Sequence, residues 1–160
     1  MWFAVAACTQ QPSSVDSGTD LPDLPGHNDC LPEGEVMPDD TCLDVVEVDG
    51  RMPTVSYLSS DAPPAAPDDP RLTDPDYVWL TDQIRRCTCS CCHQRTIGGP
   101  GVHRWDLDFE PVWIDSANDW VLQVFVGETE EYLQTFPTDD PERVRAVVER
   151  EWARREAYER

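Results

Sequence analysis

The chain has 160 residues, with 32 Asp and Glu against 12 basic side chains, all of them Arg, giving a formal net charge of −20. That balance excludes a general nucleic-acid binder, which neutralises phosphate with clustered cations, and a domain that docks a basic face on anionic lipid. Apolar residues make up only 39% and the mean hydropathy is −0.53, so part of the chain does not form core, and the length suits one domain.

The first residues, Trp2-Phe3-Ala4-Val5-Ala6-Ala7, are apolar, and Cys8 follows two small side chains. Val5-Ala6-Ala7-Cys8 resembles the lipobox of bacterial lipoproteins. The resemblance implies that residues 1–7 are the remnant of a signal peptide, with cleavage before Cys8 and lipid on its sulfur. The mature chain would then be exported and anchored to the outer membrane, facing the periplasm or the cell surface. No run of the sequence is long and apolar enough to span a bilayer.

Residues 8–72 read as an acidic linker. Residues 1–70 carry 14 acidic side chains against one Arg, and 11 of the 15 prolines lie between Cys8 and Asp76. Proline removes backbone donors and like charges repel, so residues 9–41 and 59–76 are expected to be extended. One hairpin is expected inside the linker, over 43–58. Leu43–Val48 and Thr54–Leu58 flank Asp49-Gly50, a pair suited to a type I′ turn, and Pro53 places the second arm at an edge.

Residues 73–160 hold most of the tryptophan and read as a folded, mainly α module of three helices. Asp74-Pro75 supplies an N-cap and a first-turn proline, and Tyr77, Leu80 and Ile84 then form one apolar stripe. This helix leads into Cys87–His93. Gly98-Gly-Pro-Gly101 breaks the chain, but lacks the preceding strand and the Lys of a phosphate-binding loop. Ser116–Asp119 resembles a capping box, followed by Ala117, Val121, Val124 and Phe125 on one face and a stop at Gly127. Asp140-Pro141 opens the last helix, with Val144, Val147, Val148 and Trp152 buried and Glu151–Arg155 and Glu156–Arg160 as i, i+4 pairs. Asp106, Asp108 and Glu110 alternate on an extended stretch and are expected on a solvated face. Trp105, Trp113 and Trp120 are expected in the core.

The seven cysteines stand at 8, 30, 42, 87, 89, 91 and 92. With Cys8 lipidated, six remain. In an oxidising compartment Cys30 and Cys42 would staple the linker, and Cys87 and Cys91 would form their own disulfide or compete for partners; the alternative is a disulfide knot of the Cys87–Cys92 run with Cys30 and Cys42, for which six cysteines leave 15 pairings open. Cys89-Ser-Cys-Cys92-His93 matches C-x-x-C-H, the attachment pattern of c-type haem. Two thiols three positions apart reach the two vinyl groups on one haem edge, and the adjacent imidazole reaches the iron. The element order over 73–158 resembles a class I c-type cytochrome domain. That resemblance makes Cys89 and Cys92 the haem thioethers and His93 the axial iron ligand. It places the family's distal Met at Phe136, which cannot ligate iron. His103 is the remaining distal candidate downstream, with Met52 and Met37 upstream.

Two readings follow. The first is a lipid-anchored monohaem c-type cytochrome-like electron-transfer protein, with haem c as cofactor and a basic redox partner steered by the acidic charge. It transfers electrons and turns over no substrate. The second is a non-catalytic, disulfide-stapled surface lipoprotein with a binding or structural role. It has no cofactor, or holds zinc on Cys87, Cys89, Cys92 and His93 or His103.

Overall fold

The computed structural model describes residues 29–49, 65–128 and 138–158. The described part is mainly helical, as the periodicity requires, and holds no strand. Five helices follow in order: α1 (Asp39–Asp49), α2 (Pro75–Arg85), α3 (Cys89–His93), α4 (Asp119–Phe125) and α5 (Pro141–Tyr158). Short 3-10 turns at Pro70–Thr73, Arg95–Ile97 and Trp113–Ser116 join them. The second arm of the expected hairpin, Met52, Phe136 and Cys8 lie outside the described residues.

The start of α2 follows from its sequence. Oδ1 of Asp74 accepts from the amides of Asp76 and Tyr77 at 2.8 and 3.1 Å, and Pro75 fills the position whose N–H needs no partner. Tyr77, Leu80 and Ile84 are buried, as their spacing requires. The helix stops at Arg85, two residues short of the cysteine cluster, and α3 is a separate turn. The cap of α4 is Asn118, whose Oδ1 accepts from the amide of Val121 at 2.9 Å. Ser116 instead closes the preceding turn, donating to the Trp113 carbonyl at 2.7 Å. Gly127, at φ 70°, ends α4 in the left-handed conformation that glycine adopts without cost.

Two cores result. The larger packs α2, α4, α5 and the turn at Trp113–Ser116 around Leu80, Ile84, Ile114, Leu122, Val144 and Val148. Trp105 and Trp113 lie in it with ring centroids 5.3 Å apart. The smaller core joins α1 to α3 through Met37, Cys42, Val45, Val46, Cys91 and Ile97.

That smaller core corrects the linker reading. Residues 43–49 are not a hairpin arm but part of α1. Cys42, Val45 and Val46 stand at i, i+3 and i+4, a helical face, and all three are buried. The segment before α1 is tied down as well. The amides of Leu31 and Met37 donate to the carbonyls of Arg86 and Arg85 at 2.8 and 2.9 Å, and Thr88 donates to Asp29 at 3.0 Å. The acidic N-terminal segment thus supplies part of the fold.

Candidate functional site: the cysteine turn

Two disulfides converge on α3 and its approach. Cys30 is bonded to Cys87 and Cys42 to Cys91. The staple Cys30–Cys42 and a Cys87–Cys91 disulfide are therefore corrected, whereas the alternative, a knot joining the Cys87–Cys92 run to Cys30 and Cys42, is the arrangement found. The reason is geometric: α1 packs on α3 and sets Cys42 against Cys91, while residues 29–31 hydrogen-bond along Arg86 and Thr88 and set Cys30 against Cys87. Cys89 and Cys92 take part in neither bond. Cys92 is 5% exposed, and Cys89 is half-buried against the larger core.

His93 closes α3 and is tightly held. Its ring stacks on the Trp105 indole with centroids 3.9 Å apart and planes 12° from parallel. Nδ1 lies 3.0 Å from the Trp105 carbonyl, which can only accept, so Nδ1 carries the proton and donates. The opposite ring face meets the backbone of Gly101. A Cβ built there would sit 2.6 Å from Cε1, 2.8 Å from Nε2 and 2.9 Å from Nδ1, distances that place it over the ring plane. Gly99 is equally close to the carbonyls of Cys91 and Cys92. The Gly-rich loop is thus glycine because it lies flat on α3. Burial pushes the His93 imidazole down to about 4, against the upward pull of the Trp105 hydrogen bond.

His103 is exposed, and its Nδ1 donates to the Pro100 carbonyl on its own loop at 2.9 Å. Met37 is buried in the smaller core. Asp106 is not solvated: it is 1% exposed, and burial pushes its carboxyl above the usual range although Arg95 stands 3.5 Å away. Asp108 accepts from the amide and hydroxyl of Thr96 at 2.8 and 2.7 Å and ties the loop to the turn after α3.

These contacts test the fit of each group. The zinc set loses Cys87, whose sulfur is bonded to Cys30, and among the described residues no group of three or more metal-ligating side chains comes together. A macrocycle joined to both Cys89 and Cys92 needs open space at both sulfurs. Cys92 is almost wholly covered by protein, and the two faces of His93 are taken by Trp105 and Gly101. The hydrogen bond at Nδ1 would suit a ligating Nε2. The packing as it stands does not fit a haem.

No family model, curated protein or solved structure matches the chain.

A second cluster was not legible in the sequence. Arg71 spends all five of its N–H donors on Asp69, Asp115 and Glu151, at 2.7 to 3.1 Å. Arg154 and Arg155 complete the cluster on Glu151 at 2.7 and 2.8 Å. The side chains of Asp115 and Glu151 are 1% and 2% exposed. Glu151–Arg155, expected as an i, i+4 pair, is thus part of the interior. Only its i, i+4 spacing was visible beforehand, and spacing does not say which face is buried.

Proposed function

We propose that this chain is an exported, disulfide-stapled surface lipoprotein domain with a binding role and no substrate turnover, anchored through Cys8. The observation that supports this reading is the pair of bonds Cys30–Cys87 and Cys42–Cys91. Disulfides persist in oxidising compartments, and they stabilise domains whose own core is small. Here they hold an acidic segment that has little apolar surface against the helical module. The lipobox-like Val5–Cys8 supplies the address and the acidic residues after it the tether.

The test is co-expression with haem-maturation machinery in a bacterial host that processes lipoproteins. The reading expects a colourless protein whose N-terminal peptide begins at an acylated Cys8. A haem thioether adduct on the Cys89–Cys92 peptide, with a c-type visible spectrum, contradicts it and restores the electron-transfer reading. An unmodified, retained Met1 contradicts the anchor.

A further inference from the structure

The two disulfides leave a pair of cysteines side by side. Cys87 and Cys91 are each bonded to the N-terminal segment. Cys89 and Cys92 take part in neither bond, although both belong to the five-residue turn α3. Positions i and i+3 of a helix share one face, with Cβ atoms about 5–6 Å apart. Cα–Cβ bonds lean toward the start of a helix, so that of Cys92 leans back toward Cys89. A disulfide needs Cβ atoms about 3.5–4.5 Å apart, so closing the pair takes a movement of about 1–2 Å. One end of the turn is fixed and the other is not. The amide of Gly101 donates to the Cys92 carbonyl at 2.8 Å, and Gly99 packs on the same carbonyl. Cys89 is the first residue of α3, and Thr88 before it makes no side-chain cap. The two sulfurs also differ in access: Cys89 is half-buried, whereas Cys92 is 5% exposed.

We propose that Cys89 and Cys92 form a reversible redox site, a dithiol that a low-molecular-weight disulfide such as glutathione disulfide converts to a third intramolecular bond. The Cys89 thiolate attacks one sulfur of the oxidant, whose S–S bond breaks and releases one glutathione thiolate. The Cys92 thiolate then attacks Sγ of Cys89 in the resulting mixed disulfide and expels the second glutathione. The two cysteines lose two electrons and two protons, and the oxidant is reduced to two thiols. This bond is labile where the other two are not. Cys30–Cys87 and Cys42–Cys91 join sulfurs 57 and 49 residues apart that the fold holds against each other, so a bond that opens reforms. Cys89 and Cys92 are close in the unfolded chain as well, and the fold adds little to their bond. The site goes beyond the binding role: its state follows the thiol–disulfide balance around the chain.

The test equilibrates the full chain in glutathione buffers of stepped thiol-to-disulfide ratio. Thiols are blocked with one reagent, disulfides are then reduced and labelled with a second, and the tryptic peptide over 87–95 is read by fragment mass. Cys89 and Cys92 should pass together from the first label to the second as the buffer becomes more oxidising. Their oxidation constant should be at least about ten-fold smaller than that of either long-range bond, so Cys87 and Cys91 carry the second label across that transition. Cys92→Ser should trap one glutathione on Cys89, and Cys89→Ser should leave Cys92 unmodified, because its sulfur is covered. The second label at Cys87 and Cys91 shows that each variant is folded. Cys89 and Cys92 remaining thiols at every ratio, either of them bonded to another cysteine, reduction together with the long-range bonds, or glutathione trapped on Cys92 rather than Cys89 overturns the proposal.

Discussion

His93 shows how strongly one residue's meaning depends on its surroundings. In sequence it completes C-x-x-C-H. In the fold it is a half-buried imidazole held between an indole and a glycine backbone. Its pKa lies below the ordinary value near 6.5, so the unfolded chain takes up a proton there before the folded one does. The stability this position contributes is fully present above about pH 6.5 and is lost as pH falls toward 4. For a partly exposed ring the loss is about 1–3 kcal/mol. Denaturant unfolding between pH 7 and 4 should show that loss, and His93→Gln should remove most of it. Gly101→Ala drives a methyl into the ring and should destabilise by about 1–3 kcal/mol, read in the same assay. The C-x-x-C-H spacing was legible from the sequence. Its role was not, because the deciding contacts come from Trp105 and Gly101, and spacing says nothing about which later residues fold back onto a turn.

At the scale of elements, capping signals proved the most readable. Asp74-Pro75 opens α2 where the sequence places it, and Gly127 closes α4. Asp140 opens α5 with its Oδ1 accepting from Arg143 at 3.0 Å. The error lay in α1. Val45, Val46 and Val48 suit a strand, and Asp49-Gly50 suits a hairpin turn. What decides for helix is Cys42 on the same face as Val45 and Val46, with its sulfur bonded to α3. Local propensity loses to a tertiary contact that cannot be seen in a window of ten residues. The bonds Cys30–Cys87 and Cys42–Cys91 span 57 and 49 residues. Closing loops of this length removes about 4 kcal/mol of unfolded-state entropy for either bond alone. Cys42→Ser should therefore lower stability by about 2–5 kcal/mol. Far-ultraviolet circular dichroism should show α1 melting ahead of α2 and α5, whose own core does not include that sulfur. A single unfolding transition with unchanged midpoint would show that α1 is held by its valines alone.

At the scale of the whole molecule, charge dominates. The chain carries −20, yet Arg71 and Arg155 are drawn into the interior around Asp115 and Glu151, with Arg154 at its edge. Breaking a buried pair leaves an uncompensated charge and costs about 3–5 kcal/mol. Arg71→Met should destabilise by that amount, measured by urea unfolding, although it adds apolar surface. Burial pushes the Glu151 carboxyl up, but the hydrogen bonds from Arg154 and Arg155 outweigh it and hold it below its ordinary 4.5. A depressed carboxylate contributes stability above its unfolded value and loses it as pH falls through the folded one. Glu151 thus adds to acid unfolding below about pH 4.5, and Glu151→Gln should flatten the acid limb.

The account rests on where the sulfurs go, and peptide mass mapping of the native protein, digested without reduction after thiols are blocked at low pH, reads this directly. It predicts two linked peptides, Cys30 with Cys87 and Cys42 with Cys91. A Cys30–Cys42 link, or thioether adducts on Cys89 and Cys92, would contradict it.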